Sequence, residues 1–248
     1  MRFDVMTLFP ELVSGIVNTS ITGRAIESGC FELFTHNIRD FSDNPHRHVD
    51  DTPYGGGAGM LIQCQPVIDT LKSIDGYHNA YKIITSAQGN TFNQVKAKKL
   101  SELKHIIIIC GHYEGIDNRI LNYVDEEISI GDFIMTGGEI PALTIIDSVI
   151  RLLPNAITDM SIEDESFENG LLEYPQYTKP YEYDGHKVPE VLMSGNHEEI
   201  RKYRLFESLK NTYLKRPELL KDYTFDKESL FYLDNIKKGI MDFDKIEK

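Results

Sequence analysis

Cysteine is scarce in this chain of 248 residues: Cys30, Cys64 and Cys110 are widely spaced and form no CxxC pair. An odd, scattered set of this kind argues against a disulfide framework or a zinc knuckle, and suits reduced thiols in the cytoplasm. Long hydrophobic runs are missing too. No stretch approaches the roughly 18 apolar residues that a transmembrane helix needs, so no membrane partner is expected. The opening MRFDVMTLFPELV sets Arg2 and Asp4 ahead of a short apolar run with no small-residue cleavage site, which speaks against a signal peptide. Basic side chains are outnumbered 26 to 39, a formal charge of −13. What is present is ordinary: 41% hydrophobic and 26% charged residues, which excludes intrinsic disorder and fits one large domain, or a principal domain with a smaller partner.

Net acidity normally counts against an anionic partner, but the charge is uneven. Residues 201–248 carry 12 basic and 9 acidic groups, and the rest of the chain is strongly acidic. Within 201–216, Arg201, Lys202, Arg204, Lys210, Lys215 and Arg216 face only Glu207. Such a segment either presents a solvated helix face or meets a polyanion, and charge alone leaves both open.

Short apolar strands alternate with amphipathic helices over the first two-thirds. Phe3–Phe9, Phe31–Ile38, Tyr81–Thr85 and His105–Cys110 read as strands; helices are expected at 10–18, Gln65–Ile74, Asn93–Leu100 and Ile140–Leu153. Continuous apolar runs such as HIIIIC with helices between them indicate an α/β fold built on a mostly parallel sheet covered on both faces. The pattern stops at Pro154. Residues 154–195 contain four prolines and an acidic run from Asp159 to Glu173, so a linker or functional loop is expected at 156–195. Helical periodicity returns at His197–Tyr213 and Lys227–Ile240, giving a first domain over 1–155 and a small helical domain over 196–248.

Glycine-rich turns follow three strands: Ser86-Ala87-Gln88-Gly89, then CGHYEGID from Cys110, then IGDFIMTGGEIP from Ile130. Ligands of open parallel sheets bind at the carboxyl ends of strands, where glycine lets backbone approach closely, although any one such turn equally well just ends a strand. No GxxxxGK[ST] or GxGxxG phosphate cradle is present, and YGGGAGM at 54–60 lacks the lysine and hydroxyl. Glu139 occupies a helix start, where it would repel phosphate. The pocket suits an adenosine without phosphates, carrying a cationic group that Glu114 could face. His46 and His48 have no metal-ligand partners at useful spacing, so no metal site is expected. Asp147 and Arg151, four apart on one helix, make a plain ion pair the simplest reading of Arg151.

The segments HRHVDDTP, YGGGAGM, CGHYEGID, SIGDFIMTGGEIPA, LLEYPQYTKP and VPEVLMSGNHEEIRKYR occur in this order. Together they closely resemble the bacterial tRNA (guanine-N1)-methyltransferases that modify position 37, a family of the SPOUT class, to about residue 220. The resemblance implies a deep trefoil knot in the α/β domain, a homodimer, tRNA as partner and S-adenosylmethionine as methyl donor. Magnesium is also used in the family, and no dedicated site for it is legible here. Carried over by position, the donor site comprises Ile84, Thr85, Ser86, Ala87, Gly111, Tyr113, Glu114, Gly115, Ile130, Gly131, Phe133, Met135, Gly137, Gly138 and Pro141. The family often has proline at Ala87 and arginine at His112.

The family's catalytic base is usually an aspartate in an Asp-Ser-Phe triplet; here the triplet is Glu165-Ser166-Phe167, with Asp164 the rival by one residue. Guanine N1 is a poor nucleophile until its proton leaves, which a carboxylate can accept, and a guanidinium such as Arg151 can stabilise charge spreading to O6. Arg201, Lys202, Arg204, Lys215 and Arg216 are the expected RNA-phosphate contacts. The alternatives are a SPOUT methyltransferase acting elsewhere on RNA, and a non-catalytic RNA-binding homologue.

Overall fold

The strand β6, His105–Cys110, is the axis of the first of two units in the computed structural model, which describes residues 1–17, 19–154, 156 and 165–246. The units are Met1–Thr158 and Asp159–Lys248. In the first, β1 (Arg2–Thr7), β2 (Glu32–Asn37), β5 (Tyr81–Thr91), β6 and β7 (Glu126–Ser129) form a parallel sheet in the order β2-β1-β6-β5-β7. A small antiparallel pair, β3 (Asp50–Asp51) with β4 (Leu61–Ile62), stands apart from it.

Alternation of side chains explains why HIIIIC is apolar throughout. Ile106, Ile108 and Cys110 face one layer, with α1 (Pro10–Val17), α4 (Gln94–Ser101) and α5 (Glu139–Ile150); Ile107 and Ile109 face the other, with α3 (Cys64–Ser73). Every residue of β6 from Ile106 onward is fully buried. Asp4, on β1, is the one buried charged side chain among the described residues of the sheet. Its fully buried carboxylate accepts from Arg2 Nε at 2.6 Å, from His36 Nε2 at 2.6 Å on β2, and from His105 Nε2 at 2.7 Å on β6. Burial pushes this carboxyl up, but the hydrogen bonds from His36, Arg2 and His105 outweigh it and lower its pKa to about 2.

Several elements differ from the sequence reading. The helix α2 (Ser20–Glu27) and the strand β7 were not expected. SITGRAIE carries β-branched residues and a glycine, which are weak helix formers, and EEIS has too little apolar surface to announce a strand. The strand at Tyr81 does not stop at Thr85. Both Thr85 and Asn90 pair with Ile128, so residues 86–89 bulge out and the strand resumes. Ile140–Leu153 shortens to α5 ending at Ile150.

The second unit packs α6 (His197–Lys215) against α7 (Lys227–Lys237) around Leu171, Phe206, Leu209, Tyr232, Ile236 and Ile246. Asn196 caps α6 by accepting from the Glu199 N–H at 3.3 Å, and a reciprocal Asp226–Ser229 capping box starts α7. Phe206 makes an edge-on contact with Tyr232, ring centres 5.9 Å apart. Between 165 and 195 the regular structure is slight: a two-residue hairpin, β8 (Glu182–Tyr183) with β9 (His186–Lys187), and a short 3-10 turn at Glu190–Met193.

Candidate functional site

The bulge of β5 and the carboxyl ends of β6 and β7 open on one cleft of about 420 Å³ in the first unit. Three loops build it, and hydrogen bonds join them. Gly138 donates its N–H to the Gly111 carbonyl at 2.8 Å, and His112 bridges to Gly137. Thr85 Oγ1 donates to the carbonyls of Ile109, at 3.3 Å, and Gly138, at 3.4 Å. The approach at Gly138 needs glycine: a Cβ there would collide with Thr85 Oγ1 and lie 2.8 Å from the Gly111 nitrogen. At the 86–89 bulge, a Cβ on Gly89 would come within 2.5 Å of the Glu127–Ile128 backbone. Farther out, Glu114 N–H donates to the Met60 carbonyl at 3.1 Å, and Ile62 N–H to Gly115 at 3.0 Å. The loop YGGGAGM thus lies against the β6 turn.

Every residue that the resemblance assigns to the donor lines this cleft, from Ile84, Thr85, Ser86 and Ala87 through Gly111, Tyr113, Glu114 and Gly115 to Ile130, Gly131, Phe133, Met135, Gly137, Gly138 and Pro141. The lining also includes residues that sequence reasoning missed, among them Gln88, His112, Asn118 and Glu127. Glu127 went unnoticed because β7 did. Among the described residues, none that lines the cleft is Lys or Arg, whereas Glu114 and Glu127 both do. That balance repels phosphates and favours a cation. Apolar walls from Ile84, Ile130, Phe133 and Pro141, with the backbone of the glycine turns between them, suit a flat nucleoside. Glu139 does not line the cleft. It is 5% exposed at the first turn of α5, where its Oε1 accepts from Thr7 Oγ1 at 2.8 Å, so its charge sits behind the turn and adds to the unfavourable field for phosphate. His112 Nδ1 is buried with no hydrogen-bond partner among the described residues, and its ring stands edge-on to Phe9, centres 5.1 Å apart.

Neither Arg151 nor Glu165 is among the residues lining the cleft. Arg151 caps the C-terminal end of α5 in the first unit, half-buried, its N–H donating to the Asp147 carbonyl at 3.3 Å. Glu165 opens a turn in the second unit, where its carbonyl accepts from Glu168 N–H at 3.2 Å. Asp164 falls outside the described residues. Among the described residues no three His, Cys, Asp or Glu side chains are grouped to hold a metal ion. His46 and His48 face each other edge-on at 6.1 Å and are exposed.

The cations of the second unit are more committed than their sequence suggests. Arg201 makes ion pairs with Glu198 at 2.9 Å and Glu228 at 2.8 Å, and Lys202 with Glu199 at 3.2 Å. Arg204 lies over the Tyr174 ring at 4.7 Å. Lys210 pairs with Glu207, and Arg216 pairs with Glu218 while lying 5.8 Å from the Phe167 ring centre. Lys215 is exposed at the last turn of α6. Counting charge within 201–216 missed Glu198, Glu199 and Glu218, which flank that window, and Glu228, which the fold brings in from α7.

A profile of the family described as tRNA (Guanine-1)-methyltransferase TrmD matches residues 1–222. The chain belongs to this family. It is similar, at 50% identity over 241 residues, to the tRNA (guanine-N(1)-)-methyltransferase of Streptococcus gordonii, a match spanning 97% of this chain and 98% of that protein. The protein of that name from Clostridium novyi is 49% identical over 239 residues, covering 96% and 99% of the two chains, and that from Dictyoglomus turgidum 46% over 241 residues, covering 97% and 98%. As a member of the tRNA (Guanine-1)-methyltransferase family, the chain carries the family match through the whole first unit and α6, while α7 lies beyond it. No helix among the described residues is long and apolar enough to cross a membrane.

Proposed function

We propose that the protein transfers a methyl group from S-adenosylmethionine to N1 of guanine 37 in tRNA, in the cytoplasm and as a homodimer with a trefoil-knotted first unit. The observation that carries this reading is the cleft: roomy enough for a nucleoside, bounded by two carboxylates and by no lysine or arginine among the described residues. S-adenosylmethionine supplies a methyl group on a sulfonium, whose carbon–sulfur bond breaks as the new bond forms. The protein's own residues do the rest. Backbone groups at Gly111 and Gly137 hold and orient the adenosine, and Glu114 and Glu127 provide the negative field that matches the donor's cation.

Glu165 accepts the N1 proton, so that the freed nitrogen lone pair attacks the methyl carbon; such a base contributes roughly 10²–10⁴ in rate. Arg151 donates to O6, where the negative charge of the deprotonated guanine spreads. Because a displacement needs alignment, holding the base in line with the methyl supplies much of the remaining acceleration. The second unit, with Lys202, Arg204, Lys215 and Arg216, meets the tRNA backbone. For dimerisation, the exposed apolar side chains Leu12 and Ile16 on α1 and Ile140 on α5 offer contacts for a second copy. Magnesium has no grouping of three His, Cys, Asp or Glu ligands among the described residues.

Transcripts with inosine or with 2′-O-methylguanosine at position 37 test the reading. Both keep N1 and O6, so both accept the methyl group; refusal of the 2′-O-methylated tRNA alone marks a ribose methyltransferase.

A further inference from the structure

We infer that Thr212 and Asn211, on the last turns of α6, are positioning residues that set the place of the Glu165 carboxylate; the inference rests on Glu165 being the base. The segment from Glu165 to Glu173 has little regular structure, yet it is tied down along its length. Glu168 N–H donates to the Glu165 carbonyl at 3.2 Å, and Phe167 N–H to the Leu171 carbonyl at 2.8 Å. Phe167 has φ +72°, in the left-handed region. A phenylalanine stays there only when surrounding contacts dictate it.

The rest of the loop is anchored on α6 and the core around it. Leu171, 3% exposed, anchors the loop in the core of the second unit. The next amide, Leu172 N–H, donates to Thr212 Oγ1 at 2.9 Å, and the Thr212 hydroxyl in turn donates to the Ser208 carbonyl at 2.7 Å. Asn211 Nδ2 donates to the Glu173 carbonyl at 3.1 Å, and Glu173 N–H donates to Ser166 Oγ at 3.0 Å. A continuous path therefore runs from Asn211 through Glu173 to Ser166, the residue after Glu165.

Thr212 is fully buried. A β-branched hydroxyl residue is a poor choice for a buried helix interior on propensity grounds, and its hydroxyl here both satisfies itself one turn back and receives the loop. Removing it leaves the Leu172 amide without its acceptor and frees the turn that carries Glu165. Arg216, one turn further along, reaches the Phe167 ring of the same loop.

The test uses the full-length protein with tRNA transcript and S-adenosylmethionine. Thr212→Val keeps the shape without the hydroxyl, Thr212→Ser keeps the hydroxyl, and Glu165→Gln is the reference. The expected result for Thr212→Val is a kcat lower by about tenfold or more, the scale of an ångström-sized misplacement, with KM for both substrates within about twofold of wild type. Thr212→Ser recovers most of the kcat, and deuterium exchange at the Leu172 amide speeds up only in the valine variant. Should Thr212→Val fail to fold, Asn211→Ala removes the parallel strut and is expected to show the same split. Wild-type kcat in the variant that is read overturns the inference, as does a loss that serine does not rescue. Full turnover by Glu165→Gln sinks the base assignment itself, whereas an inactive Glu165→Gln beside a normal Thr212→Val sinks this inference alone.

Discussion

Gly138 donates its amide proton to the carbonyl of Gly111 at 2.8 Å, so the turn that starts α5 hangs from the turn that ends β6. The two glycine motifs, far apart in sequence, therefore form one wall of the cleft. A methyl group at Gly138 has nowhere to go between Thr85 and the Gly111 amide. Gly138→Ala is expected to cost about 1–3 kcal/mol of stability through overpacking. Calorimetric titration should show S-adenosylmethionine affinity reduced by at least about tenfold, some 1.4 kcal/mol. Unchanged melting and unchanged affinity contradict the packing described for these turns.

Asp4 gives the fold a definite acid dependence. Its pKa is lowered from 3.8 to about 2, so the folded state prefers the carboxylate. That stability is fully present above the unfolded value and is lost as pH falls through about 2, amounting to ~2 kcal/mol. Asp4→Asn is expected to destabilise at neutral pH by at least this order, since Arg2, His36 and His105 lose their buried anion. Urea titrations of both proteins at several pH values check it. The gap between them closes as pH falls from 4 to about 2, and a constant gap contradicts the assignment.

How much of this was legible beforehand depended on where the information sits. HIIIIC announced a strand buried on both faces because alternation leaves no polar position on a central parallel strand. The turns that wall the cleft were visible as glycine-rich stretches, since their close approaches demand glycine, but the residues alone left open whether they hold a ligand or only end strands. By contrast, EEIS of β7 is held in the sheet by its neighbours rather than by its own preferences, and Glu127 was lost with it. The ion pairs of Arg201 with Glu198 and Glu228 were hidden for a different reason. Glu228 is a neighbour only after α7 folds back on α6. The buried Asp4, too, makes sense only once β2 and β6 bring His36 and His105 beside it.

The same ion pairs rank the proposed RNA contacts. Arg201 has two carboxylates to leave before it can serve a phosphate, whereas Lys215 is exposed at the end of α6. Lys215→Ala is expected to reduce the slope of log affinity against log salt for tRNA by about one. Arg201→Ala is expected to change that slope less and to lower the melting temperature instead. Filter binding across a salt series distinguishes them; equal slopes for wild type and Lys215→Ala remove Lys215 from the interface.

Glu165→Gln keeps size and polarity but cannot accept a proton at neutral pH. Turnover is expected to fall by roughly 10²–10⁴ while S-adenosylmethionine binding is unchanged. Single-turnover assays beside donor titration check this, and full activity transfers the role to Asp164.

The claim on which the account stands is the identity of the atom that receives the methyl group. It is tested most directly by incubating the purified protein with S-adenosylmethionine and a tRNA transcript bearing guanine at position 37, digesting the product to nucleosides, and identifying the modified one by mass spectrometry against standards. The account predicts 1-methylguanosine from position 37. A methylated ribose, a methyl group at another guanine atom, or no methylated nucleoside contradicts it.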